Sequence, residues 1–162
     1  MSFELELNKL YEQIAQQVNN MIPIEWSDLY FNGEVKDEEG GVFFFFTPID
    51  KNDEPIYSHD IPDLYQVDEK NYDKELHKLF QLTVKLQKVF IDNAQEPWFS
   101  VTLLVNDEGK LNVHFDYTNW HKSEFGPTAR IEYFEYKFVS KNKEDLDLGL
   151  IERMKEFEKR SM

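Results

Sequence analysis

Four side chains that can bind a metal ion lie close together in the sequence: His114, Asp116, His121 and Glu124. The two-residue period of a strand places His114 and Asp116 on one polar face, and the other two follow in the next loop. Imidazole and carboxylate groups together could bind a divalent cation. A metal site needs three or more ligands at one point, which spacing does not establish, so a solvated sheet face is the favoured interpretation. A small metal-dependent hydrolase is kept as an alternative function.

Other catalytic patterns are missing from the sequence. There is no Gly-rich phosphate loop, no His-Glu-x-x-His and no Gly-x-Ser-x-Gly, and the absence of cysteine removes thiolate chemistry. His59 and Asp60 are neighbours in an acidic loop and could hold a cation, but such a pair is usually solvated. We therefore predict a protein that is not an enzyme and has no cofactor.

The acidic residues are unevenly distributed. The net charge is −14; residues 1–68 contain fifteen Asp or Glu and three Lys, whereas residues 69–162 contain seventeen acids and fifteen bases. Such a field repels nucleic acid and attracts basic proteins or cations. The aromatic residues of segment 26–46 also lack the interleaved basic residues that single-stranded nucleic acid requires. Solubility alone is the alternative explanation of the acidic residues.

The cellular compartment follows from what the chain lacks. No apolar run approaches the roughly 20 residues that span a bilayer, and Met1-Ser2-Phe3-Glu4 has no feature of a signal peptide. The lack of cysteine agrees with a reducing compartment. We predict a cytoplasmic protein that makes no membrane contact, and the oligomeric state stays open.

Residues 98–127 contain the clearest strand pattern. Phe99–Asn106 and Leu111–Thr118 each alternate apolar and polar residues, and the polar segment between them includes Gly109. This predicts a β-hairpin with one apolar face on the core and a polar face in solvent.

Another hairpin, the first in chain order, is predicted before it. Trp26–Val35 and Val42–Thr47 form its strands, and Asp37–Gly41 forms its turn. The four consecutive phenylalanines, 43–46, point to both faces of a sheet, so either both faces are covered or one row of rings is an interaction surface. Burial of both rows is favoured. A dimerisation or structural module that uses this strand is a further alternative function.

The remaining segments complete an α+β fold. Apolar periodicity predicts helices over 3–21, with Ser2 as N-cap, and from a cap at Asn71 to about Asn93. Residues 48–67 are mostly loop, with a short strand at Ile56–Ile61 that Pro62 ends. Helices are also predicted after Pro127 and over roughly 143–160. We expect one domain over residues 1–162, in which an antiparallel sheet of about five strands packs against an N-terminal helix, a central helix and C-terminal helices.

Several short motifs occur in an order and spacing that resemble those of a known family. One group begins on the last strand of the hairpin predicted in residues 98–127: Phe115-Asp116-Tyr117-x-x-Trp120, Phe125-Gly126-Pro127-x-x-Arg130, Tyr133 and Tyr136-Lys137-Phe138. Two others precede it: Met21-Ile22-Pro23-Ile24-Glu25-Trp26 and Glu96-Pro97-Trp98. Together the motifs resemble the YezG/EsaG family of bacterial immunity proteins from the first helix to about residue 138.

This resemblance implies a function. Members of the family are cytoplasmic antitoxins that bind the C-terminal domain of polymorphic toxins, typically LXG-type or type VII-secreted nucleases. The chain would then be a single YezG-like domain that protects its producer in interbacterial competition. The family supplies no catalytic residues to assign.

Charge indicates where a toxin would bind. A nuclease domain has a basic cleft, so a concentrated negative field would speed its association. We expect the acidic first half to supply the toxin-facing surface, with tyrosines as desolvated anchors. The residues of this predicted surface are Glu34, Asp37, Glu38, Glu39, Asp50, Asp53, Glu54, Asp60, Asp63, Tyr30, Tyr57 and Tyr65.

Overall fold

The computed structural model describes residues 2–50, 54–139 and 146–161. The chain divides into two compact units, an N-terminal unit of residues 1–116 and a C-terminal unit of residues 117–162. The predicted α+β class, with a five-stranded antiparallel sheet, an N-terminal helix, a central helix and C-terminal helices, is confirmed. That residues 1–162 form one domain stays a prediction.

Two long helices form one layer of the N-terminal unit. Helix α1 (Phe3–Met21) is capped by Ser2, whose side chain accepts a hydrogen bond from the Leu5 N–H, as predicted. Helix α3 (Glu69–Asp92) is capped by Asp68, whose carboxylate accepts a hydrogen bond from the Asn71 N–H. The prediction of Asn71 as the cap was wrong because Asp68 supplies the capping carboxylate one turn earlier and the helix already includes the polar residues 69–71. The helices pack together through their apolar sides.

The second layer is the sheet, with strand order β3-β2-β1-β4-β5 and antiparallel pairing throughout. The strands are listed here in chain order: β1 (Trp26–Lys36), β2 (Glu39–Pro48), β3 (Ile56–Tyr57), β4 (Ser100–Val105) and β5 (Leu111–Asp116). Both predicted hairpins are present. The core lies between the helices and the sheet face that carries Leu29, Phe31, Phe44, Phe46 and Leu103.

Gly33 of β1 lets helix α3 approach this face closely. A Cβ atom at Gly33 would lie 2.6 Å from Cγ2 of Thr83, a buried residue of α3. Real Cβ atoms do not approach other atoms so closely, so a larger residue at Gly33 would force the Thr83 side chain to move. The β1 backbone at Gly33 therefore lies directly against a buried side chain of α3.

The four phenylalanines of β2 are buried, as expected. Phe44 and Phe46 lie in the core, and Phe43 and Phe45 on the opposite face are 8% and 5% exposed. This strand therefore does not present a row of rings as an interaction surface.

The polar face of the β4–β5 hairpin is less exposed to solvent than predicted. Ser100 and Thr102 of β4 are buried, and the Asn32 side-chain amide donates a hydrogen bond of 3.2 Å to Thr102 Oγ1. The prediction of a solvated face was wrong for β4 because β4 lies inside the sheet, between β1 and β5. On β5, Asn112 and His114 are exposed as expected.

Residues 54–67 contain more regular structure than predicted. Only Ile56 and Tyr57 pair as a strand, and a 3-10 turn (Ser58–Asp60) and helix α2 (Ile61–Tyr65) follow. The predicted strand end at Pro62 was wrong because proline is compatible with the first turn of a helix.

The C-terminal unit contains helix α4 (Pro127–Phe134), a π-helical continuation (Glu135–Val139) and helix α5 (Leu148–Arg160). Asp147 caps α5, because its side chain accepts a hydrogen bond from the Leu150 N–H. The helix therefore begins at Leu148, later than the predicted start near residue 143. Residues 143–145 lie outside the described residues. Trp120 packs against Tyr133 and Phe157, with ring centroids 5.7 and 5.3 Å apart.

Within the described ranges, none of the helices has the length and apolar character needed to cross a membrane.

Candidate binding surface of the N-terminal unit

The β1–β2 turn presents three adjacent carboxylates, which we call the acidic tip: Asp37, Glu38 and Glu39. All three residues are exposed. Lys36 pairs with Glu39, so the loop has only two residues, Asp37 and Glu38, with φ angles of 52° and 66°. The predicted turn of Asp37–Gly41 was too long because Glu39–Gly41 already pair with β1. Side chains other than Asn, Asp and Gly rarely adopt this left-handed conformation, so Glu38 holds its charge in a strained backbone.

The base of the acidic tip is anchored to the core. Gly40 has a φ of 153°, and a Cβ atom there would lie 1.9 Å from the Glu34 carbonyl oxygen. Gln87 of α3 is buried, and its side-chain Nε2 donates to the carbonyl oxygens of Val35, at 2.9 Å, and Trp98, at 2.7 Å. These contacts hold the strand end that carries the acidic tip.

A second group of predicted residues lies beside β2, in what we call the edge segment, residues 54–65. Its carboxylates Glu54, Asp60 and Asp63 are exposed. The segment is fixed midway along β2 because the Phe44 N–H donates to Ser58 Oγ at 3.1 Å. Ser58 is fully buried, and its carbonyl oxygen accepts a 2.6 Å hydrogen bond from the Tyr72 hydroxyl of α3.

The rings of Tyr57 and His59 stack on the edge segment. Their centroids are 4.9 Å apart and their planes differ by 15°. Burial raises the pKa of Tyr57, and the nearby Asp60 carboxylate raises it further. Burial lowers the pKa of His59, although the carboxylates of Asp60 and Asp73 act in the opposite direction.

The predicted acidic residues therefore form a strip rather than one cluster. The acidic tip lies at one end of β2, Asp60 lies near its middle, and Asp50 follows its other end. A ten-residue strand spans about 30 Å, which is close to the width of a standard protein–protein interface patch. Glu34 lies on β1 beside the tip, paired with Gly41, and Asp53 lies outside the described residues.

The three predicted tyrosine anchors occupy different environments. Tyr57 belongs to the edge segment and is half-buried. Tyr65, at the end of α2, packs against the hydrophobic core. Tyr30 lies in the central strand β1, where it pairs with Phe45 and Leu104. Tyr57 and Tyr65 therefore both lie on the edge segment that carries the carboxylates, whereas Tyr30 lies within the sheet.

The candidate metal ligands occupy different elements. His114 and Asp116 belong to β5, His121 to a 3-10 turn (Trp120–Lys122), and Glu124 follows that turn. Across residues 2–50, 54–139 and 146–161, no three His, Asp or Glu side chains converge to hold a metal ion.

Sequence reasoning missed two residues of this surface. It treated His59 as solvated, and it gave Ser58 no role. The predicted strand over Ile56–Ile61 would have placed Tyr57 and His59 on one side, but in the structure His59 lies in a 3-10 turn, so no local pattern gives the stacking. The anchoring of Ser58 depends on Phe44 and Tyr72, each fourteen residues away, which no local pattern reveals.

Comparison with known proteins identifies the class of protein. The family model described as "Immunity protein YezG-like" matches residues 7–147. The chain is 36% identical to the type VII secretion system protein EsaG of Staphylococcus aureus, over 85% of this chain and 83% of that protein. It is 32% identical to the immunity protein YezG of Bacillus subtilis, over 87% of this chain and 93% of that protein. It is 33% identical to the immunity protein YezG of Bacillus spizizenii, over 82% of this chain and 81% of that protein.

The chain belongs to the YezG-like immunity-protein family. This confirms the resemblance seen in the sequence motifs, and membership implies a toxin as the binding partner.

Proposed function

We propose that this immunity protein binds the C-terminal nuclease domain of a cognate secreted toxin through the acidic strip beside β2. The observation that carries the proposal is the distribution of charge between the two units. Residues 1–116 contain 23 acids and 9 bases, whereas residues 117–162 contain 9 of each. The entire net charge of −14 thus belongs to the unit that presents the strip.

A nuclease must bind phosphate, so its active-site cleft is basic. An inhibitor with a concentrated negative field increases the rate of encounter by about 10- to 1,000-fold and orients its partner before contact. Binding there excludes the nucleic acid substrate. The immunity protein therefore acts in the cytoplasm, by binding and without catalysis of its own.

The basic residues of the N-terminal unit support this choice of surface. Five of its nine bases lie on helix α3 with exposed side chains: Lys70, Lys74, Lys78, Lys85 and Lys88. In a helix these positions fall within one stripe of about 100°. A basic cleft is repelled by this stripe and attracted to the strip beside β2.

The acidic tip is suited to enter a cleft. It has a two-residue loop, it is held at its base by Gln87, and its three carboxylates are exposed. A rigid projection loses little conformational entropy on binding, which increases affinity.

Co-expression tests the proposal. The reading frame beside the gene is examined for a long secreted protein, and its C-terminal domain is expressed alone and together with this chain. We expect the domain to stop growth when alone, growth to be restored by this chain, and the two proteins to copurify. The control is an unrelated nuclease of similar basic charge, which this chain should not neutralise. Continued toxicity despite equal expression of both proteins would overturn the proposed function.

A further inference from the structure

The exposed imidazole of His59 ends a ladder of contacting rings that starts on a buried strand, in which the Tyr57–His59 pair is stacked and the phenylalanine rings are tilted against Tyr57. Phe43 and Phe45 of β2 lie 6.3 and 5.2 Å from the Tyr57 ring, measured between centroids. Tyr57 then stacks on His59 at 4.9 Å. Both phenylalanines are buried and His59 is exposed, so the ladder leads from the interior to the surface.

The His59 ring is also held by hydrogen bonds. Its Nδ1 atom lies 3.0 Å from Ser58 Oγ. Because Ser58 Oγ accepts from the Phe44 N–H, its own proton is available to Nδ1, which fits a neutral imidazole protonated at Nε2. Ser58 is in turn fixed through its carbonyl oxygen by Tyr72. An exposed ring held in this way is ordered before any partner arrives.

The charges around this ring are negative. Asp60 follows it directly, Asp63 lies in α2, and Asp73 of α3 is near enough to act on the imidazole. A flat ring face with the carboxylates of Asp60 and Asp73 nearby favours a planar cation. Among protein side chains this is arginine, since guanidinium stacks on aromatic faces and donates paired hydrogen bonds to a carboxylate.

We propose that His59 and Asp60 receive an arginine side chain of the toxin domain, with the guanidinium stacked on the imidazole face opposite Tyr57 and donating to the Asp60 carboxylate. This rests on the proposed function, which supplies the partner. Lysine is a poorer fit because its ammonium is not planar and is more strongly hydrated.

The experiment uses the C-terminal toxin domain encoded beside the gene and measures its Kd for the full chain and its variants. We expect His59→Ala to raise the Kd about 10-fold, the middle of the range for a partly desolvated cation–π contact. His59→Phe keeps an aromatic face but loses the bond to Ser58, so its Kd should stay within about 3-fold of wild type. His77→Ala, an exposed histidine on α3, is the matched control and should leave the Kd unchanged.

A double-mutant cycle identifies the arginine. Each surface arginine of the toxin domain is replaced by lysine and tested against wild type and His59→Ala. One of these replacements should weaken binding to wild type by about 5- to 10-fold and have little effect on His59→Ala. Asp60→Asn should weaken binding and couple to the same arginine. Urea unfolding of each free variant separates these effects from loss of the fold.

The outcomes distinguish the two levels of the proposal. If wild type does not bind the toxin domain, both the proposed function and the arginine site fail. If wild type binds but folded His59→Ala and Asp60→Asn bind equally well, the arginine site alone is overturned. The same holds if no arginine couples to His59.

Discussion

The two units of this immunity protein differ in both charge and sequence pattern. The N-terminal unit carries the entire net charge of −14, whereas the C-terminal unit is neutral. The longest group of family motifs, from Tyr117 to Phe138, lies in the neutral unit. There they have structural contacts: Trp120 packs on Tyr133, and the Arg130 guanidinium donates a 2.7 Å hydrogen bond to the Phe125 carbonyl oxygen.

This difference separates recognition of the family from recognition of the partner. Aromatic packing leaves a clear sequence pattern because each ring needs a specific neighbour. A charged surface leaves only composition, since many arrangements of carboxylates give a similar field. The aromatic motifs of the C-terminal unit, which contribute to the family match, are therefore not the features that we expect to select the toxin.

The largest expected effect tests whether the units are thermodynamically separate. Gly40→Ala places a Cβ atom 1.9 Å from a backbone oxygen, so we expect a loss of about 3–5 kcal/mol in the free energy of unfolding. If residues 1–162 form one domain, the C-terminal unit loses stability as well. Urea unfolding is followed in variants that retain only Trp98 or only Trp120, as fluorescent reporters of the two units.

Gly41→Ala is the control, because a Cβ atom there meets nothing within 4 Å. It should change stability by less than about 0.5 kcal/mol. An unfolding transition at Trp120 that does not move with Gly40→Ala would contradict the one-domain prediction.

The second effect compares charge in the two units. A triple variant of the acidic tip, Asp37→Lys with Glu38→Lys and Glu39→Lys, should slow association with the toxin domain about 10- to 100-fold at low salt. The rate should also depend less on ionic strength. Stopped-flow fluorescence measures both quantities.

A triple variant of equal net charge in the C-terminal unit is the control: Glu124→Lys, Glu152→Lys and Glu156→Lys. All three residues are exposed. Its association rate should remain within about 3-fold of wild type, because field strength depends on where the charges lie. Equal slowing by both triple variants would show that only net charge matters, and would refute the acidic strip.

A smaller effect concerns the strained turn of the acidic tip. Glu38→Gly relieves the left-handed conformation at φ 66° and should stabilise the free protein by about 1 kcal/mol. Glu38→Gln removes the same charge and keeps the strain, so its stability should be unchanged. Both variants should associate more slowly with the toxin domain. A Glu38→Gly variant no more stable than Glu38→Gln would show that the turn carries no strain.

The smallest effect is a pH dependence at His59. Because burial lowers its pKa in the folded state, the unfolded chain, with a pKa of about 6.5, binds the proton more readily. The contribution of His59 to stability is thus complete above about pH 6.5 and is lost as pH falls through the folded value. His59→Gln should reduce the decline of the urea midpoint between about pH 8 and pH 5. Parallel profiles for wild type and His59→Gln would contradict this assignment.

Much of the fold was predictable because its determinants are local. Apolar periodicity fixed helix α1 within a residue, and Ser2 capped it as expected. The alternation of β4 and β5 and the burial of the four phenylalanines also followed from period and hydrophobicity. Each of these depends on neighbours within a few positions in the sequence.

The candidate surface was less predictable because its contacts are distant in sequence. The sequence favours acidic residues for binding, but it does not show that Phe44 and Tyr72 hold Ser58, or that His59 stacks on Tyr57. The buried polar face of β4 was missed for a similar reason, since its neighbour β1 lies about seventy residues earlier. The π-helical segment after Phe134 has no pattern that separates it from an ordinary helix.

The short strand β3 has a consequence for the protein in the cell. It pairs with β2 at only two positions, beside a run of four phenylalanines that is well suited to edge-to-edge aggregation. Exposed carboxylates at the acidic tip and on the edge segment place like charges wherever two such edges would meet. If the acidic strip binds the toxin as proposed, replacing them would weaken that binding and also lower solubility, so that selection for immunity and selection against aggregation would act on the same side chains.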